Sequence, residues 1–223
     1  MTAMARPRVK ICCIMSVAEA RLAVSAGAAA LGLVGKMPSG PGVIDDGLIA
    51  EIAAIVPPPV ATFLLTSETR ADAIVDHVRR VGTNTVQLVD RVEAGAYAAI
   101  RRALPQVKIV QVLHVADTNV VDEAGALAAT VDAFLLDSGN PNLAVKELGG
   151  TGRVHDWDLS RRIVESVDRP VFLAGGLRAD NVAEAVARVQ PFGLDLCSSV
   201  RSQGRLDAEK LAMFFAAVNH VPA

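Results

Sequence analysis

Aromatic residues are scarce in this chain, at 4% of 223 positions, so the core must rest on aliphatic side chains within a hydrophobic fraction of 52%. An excess of charge of either sign is also lacking: 22 basic against 24 acidic residues leave a net charge of −2. Without a basic field, neither nucleic acid nor an anionic membrane surface is expected as a partner. No apolar run reaches the roughly 20 residues of a membrane helix. The longest low-charge stretch, residues 23–35, is broken by glycines. The charged opening, MTAMARPRVK, leads into no apolar segment of the kind a signal peptide carries. Cysteines number only three, and two of them, Cys12 and Cys13, are adjacent. Neighbours on a strand point to opposite faces, so this count and placement argue against a disulfide framework and for a reducing cytoplasm. No group of His, Cys, Asp and Glu has metal-ligand spacing, and no nucleotide-binding glycine fingerprint follows the first strand. The expectation is a reaction with no metal and no cofactor.

What the chain does have is repetition. Short apolar runs rich in β-branched residues recur at 9–14, 29–34, 60–65, 85–88, 107–113, 133–136, 170–174 and 193–197. Helix signals fill the gaps, at 17–26, 45–55, 67–81, 92–103, 119–129, 158–167, 180–189 and 207–218. Ser16 is placed to cap the first of these and Gly27 to stop it. The strand runs are continuous rather than alternating, as expected for strands covered on both faces. Eight strand–helix units in a chain of this length predict an α/β fold, a single (β/α)8 TIM barrel over residues 1–223. An open doubly wound sheet is the alternative. No linker or low-complexity segment divides the chain.

In such a barrel the chemistry comes from the C-terminal strand ends and the loops after them. The organising stretch is residues 134–157, FLLDSGNPNLAVKELGGTGRVHDW. It delivers Asp137 at the end of the sixth strand, then Gly149-Gly150-Thr151-Gly152, then His155-Asp156-Trp157 ahead of a helix. Glycines let backbone N–H groups approach an anion, although loops need glycine for other reasons too. Gly175-Gly176 and Ser198-Ser199 follow the seventh and eighth strands, whose loops often bind phosphate in barrels. Their backbone N–H groups and hydroxyls suit a phosphate; tight helix–strand packing is the other reading. Lys10 and Cys12 share a strand face about 6–7 Å apart. A nearby cation favours the thiolate, the form that acts as nucleophile or base. A pair of buried, inert cysteines is the competing reading. Asp90, His114 and His155 are further candidates near the mouth, whereas His77 and His220 fall on predicted helices and are expected at the surface.

Lys10-Ile11-Cys12, Val86-Gln87-Leu88, Leu135-Leu136-Asp137, Gly149-Gly150-Thr151-Gly152 with Asp156-Trp157, and Ala174-Gly175-Gly176-Leu177 with Asn181-Val182 span nearly the whole chain. In this order they resemble phosphoribosylanthranilate isomerase, the tryptophan-pathway barrel. The resemblance implies a cofactor-free Amadori rearrangement that turns N-(5′-phosphoribosyl)anthranilate into its 1-deoxyribulose form. It implies Cys12 as the general base at C2 and Asp137 as the general acid at the furanose ring oxygen. Gly175-Gly176 and Ser198-Ser199 would hold the 5′-phosphate, with Lys10 and Gly150, Thr151 and Gly152 as further substrate-binding candidates. Ring opening and tautomerisation of an aminoaldose do require such a pair. The acid must hold its proton near neutral pH, which asks for burial.

The chain also departs from the family pattern. Cys13 stands where the family has Gly, and Ser39-Gly40-Pro41-Gly42 stands where a Ser-Pro-Arg segment usually brings an arginine to the substrate. Val89-Asp90 replaces His-Gly, and the loop from Asp137 to Gly149 is longer than usual. His155 replaces a phenylalanine, and Cys197-Ser198-Ser199 replaces Ser-Ser-Gly. Acid, base and phosphate loops are kept while the aglycone end is altered. Two functions follow: isomerase of this or a related phosphoribosyl amine, or a non-catalytic phosphosugar-binding barrel derived from the family. The expected partner is a small phosphosugar, with the protein a cytoplasmic monomer or homodimer.

Overall fold

The computed structural model of the chain describes residues 6–138 and 155–221. The apolar runs are strands: β1 (Arg8–Ile11), β2 (Ala30–Val34), β3 (Ala61–Thr66), β4 (Thr85–Leu88), β5 (Lys108–His114), β6 (Ala133–Asp137), β7 (Val171–Leu173) and β8 (Gly193–Leu196). Each is followed by a helix: α1 (Val17–Ser25), α2 (Asp46–Ile55), α3 (Ala71–Val81), α4 (Ala96–Ala103), α5 (Asn119–Leu127), α6 (Trp157–Ser166), α7 (Val182–Val189) and α8 (Ala208–Asn219). The strands pair in parallel and in chain order, and β8 pairs back onto β1, setting Lys10 opposite Asp195 and Ile11 opposite Leu196. The sheet is a closed (β/α)8 barrel, not an open one.

Two apolar layers explain why the strands read as unbroken hydrophobic runs. Between sheet and helices lie Ile11, Leu31, Leu64, Leu113, Leu136 and Leu194, each at most 1% exposed. Inside the barrel a smaller cluster holds Ala30, Phe63, Val110, Leu135 and Phe172. Leu64 and Phe63 are sequence neighbours on opposite faces, so both strand faces must be apolar. Caps start several of the helices as the sequence suggests. The side chains of Ser16, Asp45, Asp156 and Asp207 accept from backbone N–H groups of the first turns of α1, α2, α6 and α8. A lost N-cap of this kind typically costs about 1 kcal/mol.

Two of the boundary differences have local causes. The fourth helix begins at Ala96 rather than at residue 92, because Gly95 precedes it in the left-handed region at φ 79°. The first strand ends at Ile11 rather than at residue 14, because Cys13 turns the chain at φ 59°. A 3-10 turn (Ser198–Val200) and a hairpin of β9 (Arg201–Ser202) and β10 (Arg205–Leu206) follow β8. Elements this short carry no periodicity by which a sequence could announce them. His77 corrects the expectation of a surface residue. It is buried, with Nε2 3.0 Å from Asp46 Oδ1 and Nδ1 3.4 Å from Thr66 Oγ1, so it ties α3 to α2 and β3. Its ring also fills the space beside Gly35, where an added Cβ would come within 2.5 Å of it. His220 is exposed as expected. Among the described residues, no helix is long and apolar enough to cross a membrane.

Candidate active site

The C-terminal strand ends surround a cavity whose lining includes Cys12, Cys13, Gln87, Asp137, Asp195 and Cys197. Its base is built from β1 and β8. Lys10 is fully buried, with its ammonium 2.8 Å from Asp195 Oδ1 and 5.3 Å from the centre of the Phe63 ring. Burial alone would discharge this lysine, but the Asp195 carboxylate outweighs it and holds the ammonium above the ordinary lysine range. Burial pushes Asp195 upward in turn, against the pull of Lys10. Asp195 lines the cavity and Lys10 does not, so Lys10 lies beneath the floor. A Cβ added to Gly32 would lie 2.9 Å from Cys12 Sγ and 3.0 Å from Lys10 Nζ. The thiol and the ammonium therefore share the room that a missing side chain on β2 leaves.

Past Ile11 the alternation of a strand ends. Cys13 takes a left-handed φ of 59°, a region that a residue with a Cβ enters at a cost. The turn brings both neighbours to the cavity, with their sulfurs 3.8 Å apart. This corrects the expectation that they face opposite ways, and it gives the family's glycine at this position a conformational reason. Arg201 on β9 holds the turn: Nη2 donates to the carbonyls of Cys12, at 3.3 Å, and Cys13. The same guanidinium pairs with Glu19 at 3.1 and 3.2 Å. Burial opposes a charge on Glu19, but Arg201 and the backbone N–H groups of Leu206 and Met15 hold its carboxyl below the usual range. The hairpin after β8 thus acts as a clamp on the end of β1.

Asp137 ends β6 on the far wall, three strand positions from β1 in the closed order. It is buried, and its Oδ1 accepts from Ser138 N at 2.7 Å. Gly175 and Gly176 follow β7 at φ 81° and 63°, conformations open to glycine. Asn181 fixes their loop, donating to Gly176 O at 3.0 Å and accepting from Arg178 N at 2.8 Å. Ser198 and Ser199 form the 3-10 turn after β8, and both loops line the cavity. Gln87, on β4, is buried, and among the described residues its Oε1 has no hydrogen-bond partner. The loop after β2 brings Met37, Ser39, Gly40 and Pro41 to the mouth.

Other candidates stand elsewhere. His114 has Nε2 3.3 Å from Val89 O, and Asp90 accepts from Arg91 N at 2.8 Å; neither lines the cavity. His155 sits just before α6 with Nε2 2.9 Å from Ser160 Oγ. Burial holds it below the usual histidine value despite the nearby Asp137 and Asp156. Gly150, Thr151 and Gly152 lie outside the described residues. Three contributors went unread in the sequence. Asp195 left a signal, an acid inside the apolar run Gly193–Leu196, whereas Glu19 and Arg201 lie 182 residues apart and left none.

A closed parallel barrel with a cavity at its C-terminal mouth defines a protein of the (β/α)8-barrel enzyme class. The comparisons narrow that class. The family model of N-(5′-phosphoribosyl)anthranilate isomerase matches residues 9–217. The N-(5′-phosphoribosyl)anthranilate isomerase 2 of Methanosarcina mazei is 37% identical over 209 residues, covering 93% of this chain and 92% of that protein. The Haloferax volcanii isomerase is 37% identical over 212 residues, covering 94% and 92%. The crystal structure of the Thermotoga maritima isomerase superposes with a TM-score of 0.80 at 27% identity, covering 96% of this chain and 98% of that one. The chain belongs to the phosphoribosylanthranilate isomerase family. Another solved member, 25% identical with a TM-score of 0.77 and covering 96% and 98%, is in complex with reduced 1-(o-carboxyphenylamino)-1-deoxyribulose 5-phosphate.

Proposed function

We propose that Cys12 and Asp137 are the base and acid with which this enzyme isomerises N-(5′-phosphoribosyl)anthranilate, a step of tryptophan biosynthesis. One observation carries the assignment: the two groups come from nearly opposite walls of the barrel and line the same cavity. A furanose between them presents its ring oxygen to one wall and C2 to the other. Asp137 gives its proton to the ring oxygen, the C1–O bond breaks, and the anthranilate nitrogen takes up the positive charge as an iminium. The Cys12 thiolate removes the proton from C2, leaving an enolamine. Tautomerisation of the enol gives the C2 ketone of the 1-deoxyribulose product. Acid and base of this kind each contribute about 10²–10⁴-fold. The Lys10 ammonium and the Cys12 thiol share the space over Gly32, which sets a cation beside the proposed base. Gln87 Oε1 is available to accept from a sugar hydroxyl. The non-catalytic barrel is not favoured. The direct test is loss of the fluorescence of phosphoribosylanthranilate, generated in the cuvette, on addition of purified protein.

The 5′-phosphate lies between the loops at Gly175-Gly176 and Ser198-Ser199 in this reading. Inorganic phosphate should therefore shift the backbone amide resonances of these four residues more than any others. Shifts confined to another part of the barrel would remove the phosphate from this place. The loop after β2 meets the aglycone end without the family's arginine. Pro41→Arg puts a guanidinium at the third position of the Ser-Pro-Arg segment. A charge-assisted hydrogen bond to the anthranilate carboxylate should lower KM by about tenfold with kcat little changed. An unchanged or higher KM would mean that the carboxylate is held from elsewhere.

A further inference from the structure

Two of the departures from the family pattern, Cys13 for Gly and Cys197 for Ser, are both cysteines, and their sulfurs lie 2.9 Å apart. They come from sites 184 residues apart, the turn after β1 and the end of β8. Both line the cavity, Cys197 only half-buried, so a small oxidant in the cavity reaches the pair. We propose that Cys13 and Cys197 form a reversible disulfide, an oxidation site in the cavity wall that staples the turn after β1 to the loop after β8 and slows turnover. Cys12 is not the partner, although its sulfur is 3.8 Å from that of Cys13. Consecutive Cα atoms are about 3.8 Å apart, below the roughly 4.4–6.8 Å that a disulfide spans.

The two thiols are unequal. The hydrogen bond between Cys197 and Cys13 lowers the Cys197 pKa, and the Arg201 guanidinium adds to this against burial. Hydrogen bonds to Cys12 and Cys197, with burial, push Cys13 far above the thiol range. Cys197, half-buried and beside the Arg201 guanidinium, is therefore the thiol that meets hydrogen peroxide. Its sulfur attacks one peroxide oxygen and the O–O bond breaks, giving a sulfenic acid and a hydroxide that leaves as water. The Cys13 sulfur then attacks the sulfenic sulfur. The S–S bond forms, the S–O bond breaks, and the hydroxyl departs with the Cys13 proton as a second water. Two thiols and one peroxide become one disulfide and two waters. The bond pulls on a residue already wedged between two loops. A Cβ on Gly42 would lie 2.5 Å from Cys13 Cβ, and Arg201 grips the Cys12 and Cys13 carbonyls. Movement of Cys13 therefore displaces Cys12.

The cross-link does not depend on the roles proposed for Cys12 and Asp137; only its effect on turnover does. The test treats the purified protein with hydrogen peroxide, alkylates the remaining thiols and maps the peptides by mass spectrometry, with turnover followed in parallel. The expected map shows a Cys13–Cys197 linked peptide lighter by two hydrogens, with Cys12 alkylated. Turnover should fall by roughly 10²-fold, the scale of a 1 Å misplacement, and return with dithiothreitol. Cys12→Ser should still form the link, so the map decides the question even where turnover is absent. Cys13→Gly, the family residue at this position, should form no link and keep its own starting rate in peroxide; Cys13→Ala serves if that variant folds poorly. A link through Cys12, or Cys13→Gly losing activity to peroxide as fast as wild type, would overturn the proposal.

Discussion

Cys12→Ala should lower kcat by roughly 10²-fold or more, and Asp137→Asn should do the same, the scale typical of a general base and a general acid. Neither substitution changes the volume of its site much, so the barrel should remain intact and the loss should fall on the chemical step. Both groups act on one substrate in one rearrangement. Their combined loss should therefore be less than the product of the single losses. KM and inorganic phosphate binding should hardly move, because the phosphate loops follow β7 and β8, not β1 or β6. Steady-state kinetics on phosphoribosylanthranilate, with phosphate binding measured on the same samples, checks all of this. Equal rates for wild type and Cys12→Ala would remove the thiol from the mechanism.

The second large effect is expected beneath the cavity, where a single change should cost both stability and rate. Lys10→Met leaves the Asp195 carboxylate buried without its partner, and Asp195→Asn leaves the ammonium so. Breaking a buried pair from one side typically costs about 3–5 kcal/mol. An apolar replacement of both partners is often neutral, so Lys10→Met with Asp195→Leu should recover most of that loss in urea unfolding. Turnover should not recover with it. The double variant still lacks the cation that shares the space over Gly32 with Cys12 and the carboxylate that lines the cavity. Stability regained without rate assigns the pair to the chemistry as well as to the fold. If rate returns with stability, the pair serves folding alone.

The barrel was legible because its signals are local. Both faces of each strand are covered, so each strand reads as a short unbroken apolar run, and caps such as Ser16 and Asp207 mark helix starts within a few residues of the chain. Strand-end position then singled out Cys12, Asp137, Gly175-Gly176 and Ser198-Ser199, all of which line one cavity. The same rule admitted Asp90 and His114, which lie outside it. Strand-end position says that a residue is near the mouth, not which way its side chain leans.

Tertiary structure alone decided the rest. The direction of Cys13 depends on one positive φ, and nothing in a run of VKICCI announces that the strand stops at Ile11. Lys10 finds Asp195 across 185 residues, Arg201 finds Glu19 across 182, and Cys13 finds Cys197 across 184. All three pairs exist because closure sets β8 beside β1, bringing the last strand and its hairpin onto the first strand and the turn that follows it. Local sequence determined that eight strands and eight helices form and roughly where their ends fall. Which polar groups meet at those ends was decided by the closing of the sheet, because contacts across that seam carry no period or spacing along the chain.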